Sequence, residues 1–197
     1  VDLSDDDTLI QLGDVVDRGP DVFGCVEELK KIKNLISIRG NHDEQWLMYL
    51  KTGGMPSLWG QGAAETAKSY HMYGIQPEVH FDFFANQKKY HIDENNNLFI
   101  HAGFNRHHPL TESSELHYYW DRDLWMAAHS YSLMKKKDHP FKIKDDFKEI
   151  FIGHTPTTYH NCPVPMHCAN IWNLDTGSGK GGLLTIMNVE TKEFKQF

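Results

Sequence analysis

Cysteine is scarce: Cys25, Cys162 and Cys168 are three in 197 residues, an odd number without a CxxC pair. A disulfide framework is therefore not expected, and a reducing, cytoplasmic setting fits. Cys162 and Cys168 lie in a polar, proline-bearing stretch and lack a four-ligand pattern, so loop packing is their expected role. Long apolar runs are also missing. None approaches the roughly 20 residues that span a bilayer, and no basic segment followed by an apolar one opens the chain, so neither a membrane nor export is expected. Positive charge is short too: 20 Lys and Arg face 27 Asp and Glu, a formal net charge of -7, with no long basic stripe. Non-specific binding to nucleic acid is disfavoured, although a small phosphorylated ligand could still meet local positive charge. Internal repeats and a linker are absent, so a single domain over residues 1–197 and a monomer are expected.

What is present alternates short apolar strands with polar loops and helices. Thr8 to Leu12 predicts a strand stopped by Gly13-Asp14, and from Asp21 the positions Val22, Phe23, Val26, Leu29 and Ile32 recur at helical spacing. Leu35 to Ile38 predicts a second strand, ending at Gly40-Asn41-His42-Asp43. A helix carrying Trp46, Leu47 and Leu50 follows and stops at Gly53-Gly54. Gly60 to Tyr73 reads as a helix, and Pro77 to Leu98 as a helical piece followed by the polar turn Asp93 to Asn97. Strands are predicted at Leu98 to Ile100 and Ile150 to Ile152, with a mostly helical Glu115 to Met134 and a charged connector, Lys135 to Lys144, between them. Ile171 to Asp175 predicts another strand, and Leu183 to Val189 begins a hairpin. This is the pattern of an α/β domain, in which ligands collect beyond the carboxyl ends of strands.

Four apolar runs end in Gly-Asp, Gly-Asn-His-Asp, His-Ala-Gly and Gly-His-Thr. Taken singly, Asp14 could cap a helix, Asn41 form a turn, and His101 or His154 be a hydrogen-bonded core residue. Taken together they put a carboxylate, an amide and two imidazoles after strands expected to share one sheet, which favours a metal site over four independent caps. Such a mixed nitrogen and oxygen shell suits manganese, iron or zinc. Two such metals would lower the pKa of a bridging water, which as hydroxide attacks a phosphoryl group that they clamp. Arg18 fits two oxygens of the same phosphate, with a surface ion pair as its alternative. His42 sits beside Asn41 and can protonate the departing alcohol, with Asp17 on its other nitrogen; the alternative is a bond that only fastens two loops.

Gly13 to Gly19 (GDVVDRG), Gly40 to Asp43 (GNHD), His101 to Gly103 (HAG) and Gly153 to Thr157 (GHTPT) together resemble the calcineurin-like metallophosphoesterases, particularly the bacterial serine/threonine phosphoprotein phosphatase group, from Thr8 to about Val189. The resemblance implies a four-layer αββα sandwich with two divalent metals between its sheets. It implies Asp14 as the bridging ligand, Asn41, His101 and His154 on the second metal, Arg18 on phosphate, and His42 with Asp17 as proton donor. Members open with a strand ending in Asp-x-His-Gly that binds the first metal, and nothing before Thr8 matches it; Asp2 and Asp5 to Asp7 read as a charged, capped turn. The opening strand and the first metal site are therefore expected to be incomplete in these 197 residues, which alone are expected to be a poor phosphatase. A shortened chain, unobserved residues or degeneration would each account for it, and the intact remaining motifs speak against loss of function in the parent protein.

The resemblance also implies a second phosphate-binding arginine between HAG and GHT. Arg122 in Tyr119 to Asp123 is the better match and Arg106 its rival. Tyr118, Tyr119, Trp120 and Trp125 either wall a substrate groove or pack a core. The expected function is hydrolysis of a phosphomonoester on a phosphorylated protein or small molecule. Hydrolysis of a nucleotide or dinucleoside polyphosphate is the enzymatic alternative, and a phosphate- or protein-binding pseudoenzyme is the non-catalytic one.

Overall fold

The alternation of apolar strand and polar loop builds two compact units, residues 1–88 and 89–197. A computed structural model describes residues 3–54, 62–134, 142–144 and 146–197; most of the expected charged connector lies outside them.

In the first unit β1 (Leu9–Gln11) and β2 (Leu35–Ser37) pair in parallel, Leu9 opposite Leu35. Their connection carries α1 (Val22–Lys30), whose N-terminus is capped by Asp21 accepting from the Gly24 amide at 2.9 Å. Beyond β2 comes α2 (Asn41–Thr52), which ends at Gly53 in the left-handed conformation, φ 68°. Two further helices, α3 (Ala63–Tyr73) and α4 (Phe81–Ala85), complete the unit. The periodic residues Val22, Val26, Trp46 and Leu47 bury against Val16, Tyr70 and Phe84. Each such side chain contributes about 1.5–3 kcal/mol by leaving water. Because both strands run the same way, the loops carrying Asp14 and Asn41 leave the same end of the pair.

The second unit holds a five-stranded sheet in the order β3 (Tyr90–Ile92), β4 (Leu98–Ile100), β5 (Ile150–Ile152), β7 (Ile171–Asn173), β6 (Met166–Cys168). β4, β5 and β7 are parallel, and the two edge strands are antiparallel to their neighbours. Side chains alternate. Leu98, Ile100, Ile150 and Ile152 pack with Leu124 and Trp125 on one face, whereas Phe99 stacks on Phe151 at 4.9 Å on the other. Two helices, α5 (Glu115–Trp120) and α6 (Asp123–Ser132), lie between β4 and β5, and a hairpin of β8 (Thr185–Met187) and β9 (Phe194–Gln196) ends the chain.

Three local expectations change. Tyr90–Ile92 is a strand, because the Asp93 to Asn97 turn folds it back on β4, with Asp93 Oδ1 accepting from the Asn95 and Asn97 amides. Met166–Cys168 is a strand as well; Cys168 is buried there against the helical layer. The single helix expected over Glu115 to Met134 breaks at Asp121, which turns extended (ψ 140°) and accepts from the Leu124 amide at 2.9 Å, starting α6.

Candidate metal centre

Asp14 enters the turn after β1 with φ 57°, and Asp17 and Arg18 follow at φ 73° and 59°. A run of non-glycine residues in this region is costly, and surrounding bonds must hold it. Asp43 does most of that holding. Its carboxylate, with the residue fully buried, accepts from the amides of Asp14 (2.9 Å), Val15 (2.9 Å), Val16 (3.3 Å) and Gly40 (3.0 Å) and from Gln87 Nε2 (3.0 Å). Thr66 Oγ1 accepts from the Asp17 amide at 2.9 Å and donates to its carboxylate at 2.7 Å. The sequence reading passed over both residues; the signal for Asp43 was its place three residues after Gly40, where an acid can reach back to a helix start.

Gly40 is a glycine because a Cβ there would collide with the backbone nitrogen and carboxylate of Asp14. That close approach brings the two loops together: Asp14 Oδ1 accepts from the His42 amide at 3.1 Å, and Asn41, the first residue of α2, is buried beside it in sequence. His42 Nδ1 lies 2.5 Å from Asp17 Oδ2, and Arg18 Nη2 lies 2.9 Å from His42 Nε2. A guanidinium only donates, so Nε2 accepts and Nδ1–H donates to Asp17. Burial works against charge on His42, but the Asp17 bond and the charges of Asp14 and Asp17 outweigh it, so its pKa stands above the ordinary imidazole value despite Arg18.

In the second unit the parallel strands β4 and β5 deliver His101 and His154 to adjacent strand ends, tied by the Gly153 amide donating to His101 O at 2.9 Å. His101 Nε2 and His154 Nδ1 are 3.1 Å apart, and His101 is buried. Two nitrogens sharing a cation at 2.0–2.1 Å lie about 2.8–3.4 Å apart for bond angles from right to tetrahedral, so this pair fits a divalent metal. His154 has φ 66°, the same left-handed region as the Asp14 loop.

Arg122 donates from Nη1 to Thr155 Oγ1 at 2.8 Å, next to His154 in the chain, while the half-buried Arg106 donates from Nε to its own neighbour His107 at 3.4 Å. The four aromatics divide: Tyr118, Tyr119 and Trp125 are buried in the helical core, and Trp120 is 40% exposed with its ring centroid 6.0 Å from that of His154.

The family model for calcineurin-like phosphoesterase matches residues 2–177. Serine/threonine-protein phosphatase 1 of Salmonella typhimurium is 26% identical over 191 residues, 93% of this chain and 79% of that protein. Among solved structures, a candidate diadenosine tetraphosphatase is similar with a TM-score of 0.63 at 17% identity, over 96% of this chain and 79% of that one. A metallophosphoesterase from Sphaerobacter thermophilus follows with a TM-score of 0.53 at 19% identity, over 97% and 77%. At such identities the two structures establish fold alone. The family match spans nearly the whole chain, so this protein belongs to the calcineurin-like phosphoesterases, α/β sandwich enzymes that hydrolyse phosphoesters with divalent metal ions.

Proposed function

We propose that this protein hydrolyses phosphomonoesters, with phosphoserine or phosphothreonine on protein as substrate and manganese as the cation. The observation that carries the reading is the His42 arrangement in residues 1–88: an imidazole held on one side by Asp17 at 2.5 Å and met on the other by Arg18 at 2.9 Å. An acid beside a phosphate-type cation is what the departure of an alcohol from phosphorus requires.

Asp14 and Asn41 in the first unit, and His101 and His154 in the second, are the residues that would hold the divalent metal ions. When bound, the cations supply Lewis acidity toward the phosphoryl oxygens and lower the pKa of nearby water. The chain's own residues do the rest. Arg18 turns its forked donors to two phosphate oxygens, and in doing so leaves His42 Nε2. That nitrogen, now open, carries a proton to the ester oxygen while Asp17 holds the ring and offsets its charge. Arg122 takes a further phosphate oxygen from the side of Thr155. The Salmonella relative, named as a serine/threonine-protein phosphatase, supports a protein substrate.

The test compares a phosphoserine peptide with diadenosine tetraphosphate, using the intact protein and manganese. Phosphate release from the peptide, abolished by a chelator and restored by manganese, is expected. Preference for the dinucleotide would reassign the site to nucleotide hydrolysis. Turnover of neither, with phosphate still bound, would make the protein a binding module.

A further inference from the structure

We propose that Trp120 selects the substrate: it is a wall beside His154 that favours phosphoesters carrying a planar apolar group next to the phosphate. The proposal rests on the phosphomonoesterase reading and names the chemistry that this site prefers.

The argument begins with what distinguishes Trp120 from its neighbours. Tyr118 and Tyr119 are 4% and 3% exposed and Trp125 is fully buried, whereas Trp120 is 40% exposed. An indole left in water at the end of a helix gains little from the fold, and its remaining apolar surface is available to a ligand. Its other side meets the His154 ring edge to face, centroids 6.0 Å apart at 84°. One turn earlier on the same helix, Leu116 is 70% exposed and extends the apolar surface along α5.

The wall is held still. The Ala102 amide donates to Tyr118 O at 3.0 Å, tying α5 to the turn after His101. Asp121 presses on Gly103, where an added Cβ would lie 2.6 Å from its Oδ1, and Arg122 is fastened to Thr155 at 2.8 Å. Trp120 thus sits between anchors to both histidine-bearing turns, and its ordering cost is met before any ligand arrives. Two residues on, Arg122 supplies the cation for an anion. A fixed aromatic face and a guanidinium from one corner, beside a metal ligand, match an anion flanked by a flat apolar group. That group can be a ring on the ester oxygen or the side chain following a phosphoserine.

The experiment uses the intact protein with manganese and two matched pairs: phenyl against ethyl phosphate, and phosphoserine peptides with Phe or Gly after the phosphoserine. The wild type should prefer the aromatic member of at least one pair, and the pair that responds identifies the source of the group. Trp120→Ala should lower that kcat/KM ratio roughly 2- to 12-fold, the worth of one aromatic contact, and Trp120→Phe should retain most of it. Equal losses on both members of each pair would mean that Trp120 only supports His154, and the proposal fails. A second readout needs no turnover: phenylphosphonate should quench tryptophan fluorescence in the wild type more than ethylphosphonate does, and Trp120→Phe should remove the difference. Hydrolysis of no ester at all would defeat the phosphomonoesterase reading, while the phosphonate titration would still decide on Trp120; no Trp120-dependent quenching overturns it.

Discussion

Asp43→Asn should be far more damaging than its small change in shape suggests. The carboxylate of Asp43 accepts from Val15 and Val16 through Oδ1 and from Asp14, Gly40 and Gln87 through Oδ2. An amide keeps one oxygen and replaces the other with a donor. In one orientation the new NH2 faces Asp14, Gly40 and Gln87; in the other it faces Val15 and Val16, so at least two backbone donors lose their acceptor. Each stranded buried donor costs about 1–3 kcal/mol. With the 3.3 Å Val16 bond the weakest of the set, a loss of about 3–5 kcal/mol is expected, in the range for breaking a buried charged network. That is a large share of the roughly 5–15 kcal/mol that holds a typical protein folded. Urea unfolding followed by circular dichroism measures the loss, and hydrogen exchange at the Asp14, Val15 and Val16 amides locates it. A loss below about 1 kcal/mol with unchanged exchange at those amides would refute the reasoning, since it would mean that the left-handed turn after β1 stands without Asp43.

His42→Ala should lower turnover of an alkyl phosphate roughly 10²-fold while sparing most metal affinity, with a smaller effect on p-nitrophenyl phosphate, whose leaving group needs little protonation; equal losses on both would remove the acid role. Gly40→Ala should weaken manganese binding in calorimetric titration by driving a Cβ into Asp14, whereas Gly54→Ala, whose nearest neighbour is Thr52 Oγ1 at 3.6 Å, should not. His80 is buried between the Tyr70 hydroxyl at 2.8 Å and the Glu27 carboxylate at 2.7 Å, and burial holds its pKa below the ordinary value against the pull of Glu27. The unfolded chain takes that proton first, near pH 6.5, so the contribution of His80 is full above about pH 6.5 and falls as the pH drops below it; His80→Gln should flatten this part of the stability curve.

The motifs were legible because strand ends write chemistry beside punctuation: an apolar run followed by Gly-Asp, Gly-Asn-His-Asp, His-Ala-Gly or Gly-His-Thr marks where a strand stops and what its loop carries. Helix α1 and the stop of α2 at Gly53 were legible for the same local reason, periodicity and a left-handed cap. Family membership followed from the motifs together, and the match over residues 2–177 agrees with it. The strands Tyr90–Ile92 and Met166–Cys168 were not legible, since Tyr-His-Ile and Met-His-Cys are interrupted by a histidine and lack the unbroken apolar run of β4 and β5, and only pairing with β4 and β7 makes them strands. Nor could sequence say that Asp43 would gather five donors from segments up to 44 residues away, because hydrogen-bond partners across a fold leave no local trace. The same holds for the aromatic cluster. Tyr119 and Trp120 are adjacent and alike in composition, and only the packing of α5 on the sheet buries the first and leaves the second open beside His154.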